Sequence, residues 1–196
     1  MILILASTSA IRARLLEAAG VPFEAHPSRL DEQAVKTALL AEDASPAAIA
    51  EALAEMKALR LSTNHPEALV LGCDQVLEFA GRLIGKSESL TEARALLLSL
   101  RGKSHSLITA AVLAKGGTPI WRKRERAELL MRDFSAEFLD AYFEAEGEGI
   151  LSAVGCYHLE GRGAQLFERV EGDYFAILGL PLLPLLAVLR EHGMLR

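Results

Sequence analysis

The first candidate for chemistry is an anion-binding pattern near the N-terminus. The stretch "LILASTSAIRARLL", residues 2–15, is an apolar run followed by Ser7, Thr8 and Ser9, and then by Arg12. If the run is a strand and Ser9 caps a helix, the loop between them presents free N–H groups at the positive end of the helix dipole. A guanidinium adds a planar fork that suits phosphate oxygens. The pattern is compatible with phosphate binding, but taken alone it is a weak signal, because a serine before a helix is usually an ordinary cap and Arg12 fits a surface charge.

A second candidate is a lone carboxylate after a short apolar segment. In "VLGCDQV", residues 70–76, we predict a strand over Leu69–Leu71 that ends at Asp74. Open α/β sheets bind ligands at the carboxyl edge of their strands, so Asp74 would be exposed where a site is expected. A simple turn residue is the alternative. Cys73 is a conceivable nucleophile, but no nearby residue in the sequence would activate it.

Two lysines and an acid add to this set. Lys57, in "AEMKALRL", flanks the buried face of a predicted helix, where a cation often keeps only its charged end in water. Lys86 follows a predicted hairpin in "IGKSES", and Glu32 lies in a predicted loop between the first two helices. Each of these residues taken alone fits a solvated side chain as well as a ligand contact.

Three further features have weaker signals. The segment 157–174 is dense in glycine and charge, and there Glu160 could accept hydrogen bonds from a ring while Gly161 and Gly163 allow close approach of the backbone. "WRKRER", residues 121–126, is a basic run that fits the solvated face of a strand better than a nucleic-acid contact. The histidines lack the spacing of zinc ligands.

The elements that must position these residues alternate along the chain. Apolar periodicity and caps predict helices over about 10–19, from Ser45-Pro46 to Leu61, from Ser89 to near Gly102, over about 136–145, and from Pro181 onwards. Strands are predicted over Met1–Ala6, Leu69–Leu71, Val76–Phe79, Leu83-Ile84, Leu107–Ala114 and Pro119–Arg132, with a further strand running into the last helix within 174–189. At least two hairpins are expected, so the fold class is α/β with a mixed sheet.

Composition limits the remaining function classes. The chain has 196 residues, 51% hydrophobic and 24% charged, and a net charge of −5, which argues against nucleic acid or a membrane surface as partner. Cys73 and Cys156 are expected to be free thiols in a reducing compartment. Residues 174–189 are the most apolar segment and are too short to span a bilayer. With no signal-peptide pattern either, we expect a cytoplasmic protein without membrane association.

Taken in order, these stretches resemble the Maf family of nucleotide pyrophosphatases, the septum formation protein Maf-like group. The matching stretches are "LASTSAIR", "LDE", the lysine of "AEMKA", "GCDQV", "GK" after a hairpin, and "EGRGAQLFERVEGDY" followed by "LGLPL". The resemblance covers nearly the whole chain, and it implies one Maf-like domain over residues 1–196. It also implies an elongated, twisted, mixed sheet flanked by helices, with two lobes around a central cleft, similar to inosine triphosphatase.

The resemblance further implies hydrolysis of a nucleoside triphosphate to the monophosphate and pyrophosphate with a divalent metal, Mg²⁺ or Mn²⁺. A triphosphate carries about four negative charges, so fixed cations and a metal are needed to hold it. Asp74 would orient or deprotonate the attacking water, hold metal, or do both. The residues implied as catalytic are Asp74, Glu32, Lys57 and Lys86; those implied as substrate-binding are Ser7, Ser9, Arg12, Gln75 and Glu160; those implied as metal ligands are Glu32 and Asp74.

Three departures from the commonest family pattern bear on the substrate. Ala10-Ile11 replaces a Pro-Arg pair, so one guanidinium is missing, and Ser87 stands where proline often follows the lysine. Glu160 stands where the thymidine- and uridine-directed branch has glutamine. A carboxylate only accepts hydrogen bonds, which suits a guanine edge and above all a positively charged 7-methylguanine. "LFERVEG" and Gln75 also resemble the 7-methyl-GTP-directed branch, which we favour.

Other functions stay open from sequence. A dTTP or UTP pyrophosphatase of the same family is the nearest alternative. A non-catalytic nucleotide-binding regulator of cell division is another, because one arginine is missing. The apolar, proline-marked C-terminal segment is compatible with a homodimer.

Overall fold

A computed structural model describes residues 2–196 as an α/β structure, which confirms the predicted fold class. The helices, in chain order, are α1 (Ala10–Ala18), α2 (Glu32–Ala41), α3 (Pro46–Ser62), α4 (Leu90–Leu100), α5 (Ala136–Glu146), α6 (Tyr174–Ile177) and α7 (Leu182–Glu191). The strands are β1 (Leu3–Leu5), β2 (Phe23–Ala25), β3 (Leu69–Phe79), β4 (Arg82–Ile84), β5 (Ser104–Lys115), β6 (Thr118–Met131) and β7 (Phe167–Glu171). Short 3-10 turns cover Gly147–Ser152 and Arg162–Leu166.

Within residues 2–196 the strands form one seven-stranded mixed sheet. Its order is β2-β1-β3-β5-β6-β7, with β4 paired to β3. Strand β1 is parallel to both β2 and β3, whereas β3–β4 and β6–β7 are antiparallel. The mixed sheet follows from the sequence as predicted: helices separate the parallel strands, and glycine-containing turns join β3 to β4 and β5 to β6.

The chain divides into two compact units. The first contains the chain up to Gln75, then Thr109–Glu125 and Asp173–Arg196. Its core is aliphatic, with Leu3, Leu5, Leu16, Ile49, Leu53, Leu69 and Leu71 fully buried. The second contains Val76–Ile108 and Arg126–Gly172, and its core includes Leu77, Leu97, Leu100 and Phe134. Whether residues 1–196 act as one domain stays a prediction.

Several predicted elements are confirmed with shifted bounds. The first strand is Leu3–Leu5 rather than Met1–Ala6, and Met1 lies outside the described residues. Gly116 and Gly117 form one of the expected hairpin turns, and both have positive φ, as a type I′ turn requires. Ser45, Ser89 and Ser135 cap their helices as expected. Ser9 occupies the N-cap of α1, but its hydroxyl makes no capping hydrogen bond, contrary to the prediction.

Three predictions about local structure are wrong. Strand β3 does not end at Asp74; it continues to Phe79, because Val76 and Leu77 are as buried as the residues before the carboxylate. Glu32 is not in a loop; it is the first residue of α2, which Asp31 caps by accepting from Ala34 N at 3.0 Å.

The third wrong prediction is the strand within 174–189. Tyr174–Ile177 is the short helix α6, which Asp173 caps through a 2.7 Å bond from Ala176 N. Gly179, with φ of +98°, then turns the chain toward Pro181 and α7. A local cap therefore overrides the β-propensity of the aromatic residues.

Candidate active site

Helix α3 lies directly on β3, and Gly72 makes that approach possible. A Cβ at Gly72 would collide with the carbonyl oxygen of Ala54 and would lie 2.7 Å from the backbone nitrogen of Ala58. Only glycine leaves room for a helix backbone this close to a strand. Because Lys57 precedes Ala58 on the same helix, the close approach carries the lysine side chain to the strand residue that follows Gly72 and Cys73.

That contact creates a cluster of one lysine between two acids. Lys57 Nζ lies 2.7 Å from Asp74 Oδ1 and 2.8 Å from Glu32 Oε1. Asp74 is 4% exposed and Lys57 is 5% exposed, whereas the Glu32 side chain is 42% exposed. The structure thus brings together three of the residues predicted as catalytic, from α2, α3 and β3.

One oxygen of the cluster has no partner among the described residues. Asp74 Oδ2 is buried and accepts no hydrogen bond, while Oδ1 is occupied by Lys57. A buried carboxylate oxygen without a donor is costly, so such an atom needs an explanation such as a ligand, an ion or a role in proton transfer. The Oδ2 atom of Asp74 is therefore our candidate acceptor for a proton or a cation.

The donor set fits a hard divalent cation. Glu32 and Asp74 converge on the same Nζ atom, and their oxygens are the ligand type that Mg²⁺ and Mn²⁺ bind. Among residues 2–196 no group of three or more His, Cys, Asp or Glu side chains is arranged to hold a metal ion. A cation here would therefore take one or two carboxylates and complete its shell with water and phosphate, as Mg²⁺ commonly does.

Cys73 does not act as a nucleophile in this structure. The thiol is fully buried, and burial raises its pKa to about 11 against the smaller opposing effects of Arg12 and Lys57. Burial also raises the pKa of Cys156, the other free thiol. A thiol that is protonated at neutral pH is a poor nucleophile, so both cysteines are packing residues, as the composition predicted for them.

The N-terminal motif is partly built as predicted. Ser7 Oγ accepts from the backbone nitrogen of Ser9 at 3.1 Å and from Arg12 Nη1 at 3.3 Å. Arg12 Nε donates to the carbonyl oxygen of Gly179 at 2.8 Å. Since β1 and β3 are parallel, with Leu5 opposite Leu71, Ser7 and Asp74 both lie shortly beyond this last paired position, in the same direction along the two segments.

Gln75 lies on β3 directly after Asp74, and its amide nitrogen is used within the protein. Gln75 Nε2 donates to Thr109 Oγ1 at 2.8 Å and lies 3.1 Å and 2.9 Å from the carbonyl oxygens of Ala176 and Ile177. Its role in binding substrate stays a prediction.

The other two predicted site residues belong to the second unit. Lys86 follows β4 and Glu160 lies in a turn, both with exposed side chains. Gly163, expected to let a ligand approach, has a different role: a Cβ there would lie 2.5 Å from the carbonyl oxygen of His158, so the glycine serves local backbone packing.

The basic run of β6 is an ion-paired strand face, as its alternation indicated. Arg122 pairs with Glu55 at 2.7 Å, and Arg124 pairs with Glu51 at 2.8 Å. Within the described residues no helix is both long enough and apolar enough to cross a membrane.

The features above define an α/β protein with a buried lysine–aspartate pair, a second, partly exposed acid on the same lysine, and an N-terminal strand–loop–helix that presents serine and arginine. A family model described as Maf-like protein matches residues 2–192. The chain belongs to the Maf family, as its motifs predicted.

Relatives align over almost their full length. A protein of Caulobacter vibrioides is 56% identical over 191 residues, which cover 97% of this chain and 96% of the relative. Proteins of Granulibacter bethesdensis and Paramagnetospirillum magneticum are 51% and 50% identical, over 98% and 96% of this chain and 98% and 97% of their own lengths. All three carry the name nucleoside triphosphate pyrophosphatase.

Proposed function

We propose that this protein hydrolyses a nucleoside triphosphate to the monophosphate and pyrophosphate. The observation that carries the proposal is the lysine held between two acids, with one buried carboxylate oxygen of Asp74 that has no donor within residues 2–196. Buried charges with unsatisfied atoms are expensive and are characteristic of functional sites. The name shared by the relatives supports the same reaction.

In the proposed reaction, water attacks the α-phosphorus and the bond to the pyrophosphate oxygen breaks. Asp74 Oδ2 accepts the proton of the attacking water, because it is the oxygen that Lys57 does not occupy. Lys57 holds the carboxylate in place through Oδ1. Arg12, with Ser7 and Ser9, binds phosphate oxygens, and Lys86 is proposed to offset negative charge on the triphosphate.

Glu32 and Asp74 are the residues we propose to hold a divalent cation, Mg²⁺ or Mn²⁺. When bound, such an ion would neutralise charge on the phosphates. Asp74 is then a metal ligand, a proton acceptor or both. Lys57 stays hydrogen-bonded to the carboxylates and keeps their geometry when no cation is bound.

For the base, we propose 7-methyl-GTP as the favoured substrate, with Glu160 accepting hydrogen bonds from the ring. The argument is chemical: a carboxylate accepts but does not donate, and the 7-methylguanine ring offers N–H donors and positive charge. The alternative within the family is dTTP or UTP. Substitution of Glu160 by glutamine separates the two, because an amide both donates and accepts.

A regulator that binds nucleotide without cleaving it is the second candidate. It is favoured by Ala10-Ile11, where a second guanidinium of the phosphate motif is missing. It would bind nucleotide tightly and release no pyrophosphate, and a role in cell division would then be the question to pursue.

The deciding experiment is pyrophosphate release from 7-methyl-GTP, GTP, dTTP, UTP and CTP with Mg²⁺ and with Mn²⁺, comparing the wild type with Glu160→Gln. We expect fastest release from 7-methyl-GTP and a weaker preference in the variant. Fastest release from dTTP or UTP would retain the enzyme and reject the base assignment. Tight binding without release from any nucleotide would favour the regulator.

We also propose a homodimer through the C-terminal segment, in a cytoplasmic protein that does not bind nucleic acid. The segment presents Tyr174 and Leu183, which are 48% and 57% exposed. A dimer contact through this segment would bury both side chains. Sedimentation velocity of the wild type and of Leu183→Glu measures this; a monomeric wild type rejects the dimer.

A further inference from the structure

The segment Asp173–Gly179 contacts strand residues Gln75 and Thr109 at its middle and Arg12 of α1 at its end. It begins at the Asp173 cap, forms the single helical turn α6, and ends at Gly179, where φ is +98°. Gly179 N donates to the carbonyl oxygen of Ala176 at 2.9 Å, so the end of the segment is fixed relative to its middle. Whatever holds the middle of this segment therefore also places the carbonyl group of Gly179.

Gln75 and Thr109 hold the middle. Ala176 O accepts from Thr109 Oγ1 at 2.8 Å, and Gln75 Nε2 reaches Ala176 O, Ile177 O and the Thr109 hydroxyl oxygen. All three partners of the Gln75 amide are acceptors, since the Thr109 proton is already directed at Ala176. The side chain must therefore present its nitrogen, whose two N–H groups are shared among the three oxygens.

The end of the segment orients Arg12. Gly179 O accepts from Arg12 Nε at 2.8 Å, and a Cβ at Gly179 would lie 3.3 Å from that same nitrogen. Ser7 Oγ fixes a second corner of the guanidinium through Nη1. With Nε and Nη1 directed at protein oxygens, the direction of the remaining N–H groups of the planar fork is determined.

We infer that Gln75 is a positioning residue that acts through Arg12. Gln75 anchors the segment Asp173–Gly179, and the last carbonyl of that segment aims the arginine at a phosphate group. Successive residues of a strand point to opposite faces. Strand β3 thus places the carboxylate of Asp74 toward Lys57 on one face and the support of the arginine on the other.

This inference rests on the proposed function, because it assigns Arg12 to the phosphates of a nucleotide. It also gives Gln75 a role different from reading the base. A residue that touches the base changes which nucleotide is preferred. A residue that aims an arginine weakens the handling of every triphosphate in the same proportion.

The test is a double-mutant cycle between Gln75→Met and Arg12→Ala, with kcat/KM measured for 7-methyl-GTP and for dTTP. Methionine has nearly the volume of glutamine and lacks the donors. We expect Gln75→Met to lower kcat/KM on the order of tenfold for both nucleotides, and Arg12→Ala on the order of a hundredfold. The double variant should have the same kcat/KM as Arg12→Ala alone, because without the arginine the contacts of Gln75 no longer position any phosphate-binding group.

Gln33→Met is the matched control, since Gln33 is an exposed glutamine of α2 and the chemical change is the same. It should leave both rates unchanged. Equal losses from Gln75→Met in the presence and absence of Arg12 would overturn the inference, because a general loss of folded protein is additive. A changed order of nucleotide preference would also overturn it and would return Gln75 to the substrate contacts.

The dissociation constant of inorganic pyrophosphate, measured by calorimetry on the same four proteins, keeps the test independent of turnover. If the wild type cleaves no nucleotide, the proposed function fails, and non-additive losses in pyrophosphate binding still support the role of Gln75. Additive losses there contradict it.

Discussion

Helix α3 presents the same chemistry on two faces with opposite consequences. On one face Lys57 is buried against Asp74 and Glu32. On the other, Glu51 and Glu55 pair with Arg124 and Arg122 of β6, and the side chains of the Glu51–Arg124 pair are each about half exposed. Pair distances on the two faces are nearly equal, so distance alone does not distinguish them.

Burial is what differs. An exposed pair exchanges hydration for a weak, screened attraction and contributes little to stability. A buried pair is costly to desolvate, and apolar residues of similar size would often stabilise the protein as well. The outer face of α3 is therefore an ordinary solvated surface, but stability does not explain why a lysine and an aspartate lie in the core with one carboxylate oxygen unpartnered among the described residues. Function is the better explanation for the inner face.

The largest expected effect is on turnover in Asp74→Asn. The amide keeps the shape of the carboxylate and can still accept from Lys57, but it loses the oxygen that would receive a proton. We expect pyrophosphate release to fall by about 10²–10⁴-fold, with a smaller loss of stability than in Lys57→Met because Lys57 keeps its ion pair with Glu32. Steady-state rates and differential scanning fluorimetry on the same preparation measure both quantities. Turnover within a factor of three of the wild type would remove Asp74 from the reaction.

Lys57→Met should affect both stability and turnover. It leaves a buried carboxylate without its cation, for which the expected loss in free energy of unfolding is about 3–5 kcal/mol. In the double variant Lys57→Met with Asp74→Asn, much of that stability should be recovered, because the unpaired buried charge is gone. Turnover should not be recovered. Urea unfolding of the two variants checks this; a double variant less stable than the single one contradicts the reasoning.

Gly72→Ala tests how the inner face is assembled. The added Cβ must push α3 away from β3, because Ala54 and Ala58 leave no space for it. We expect a loss of about 1–3 kcal/mol in stability and a disproportionate loss of turnover, since Lys57 moves with the helix. Gly149→Ala is the matched control, because nothing lies within 4 Å of a Cβ there. Equal turnover in the two variants would show that the spacing of α3 is not critical.

His105, in the second unit, is a third kind of polar side chain to compare with the two faces of α3: it is buried, and its hydrogen-bond partner is uncharged. His105 donates to or accepts from Tyr157 at 2.7 Å, and burial lowers the pKa of His105 from 6.5 to about 4 against a smaller opposing effect of Glu128. Between pH 4 and 6.5 the unfolded chain protonates His105 more readily than the folded chain does. The contribution of neutral His105 to the free energy of unfolding is therefore complete above pH 6.5. It is lost as pH falls towards 4, at about 1.4 kcal/mol per pH unit.

The pH dependence of urea unfolding measures this effect. His105→Gln should flatten the slope between pH 6.5 and 4. An identical slope in His105→Gln and the wild type would show that this histidine is not the group that titrates.

The smallest expected effect is on the outer face of α3. Arg124→Gln removes one exposed ion pair, and we expect less than about 1 kcal/mol of destabilisation and unchanged turnover. Raising the salt concentration should diminish even that difference, because exposed charges are screened. A loss comparable with that of Lys57→Met would remove the distinction between the two faces.

Much of the fold could be predicted from local signals. Serine caps before apolar periodicity gave α3, α4 and α5 within a residue or two, and paired glycines gave the β5–β6 turn. Helix α2 was missed although its signal, Asp31 as a cap, was present. Strand β2 is three residues long, and it is specified by pairing with β1 rather than by its own sequence.

The sequence by itself determined the family, the α/β class and which residues to suspect, because motifs in a fixed order and hydrophobic periodicity are properties of the chain. Only the tertiary structure decided that Glu32, Lys57 and Asp74 meet. It also decided that Asp74 lies inside a long strand and that Gln75 turns its amide nitrogen toward α6. Those facts depend on how closely a helix can approach a strand at Gly72, and on which buried polar atoms find partners far away in the chain.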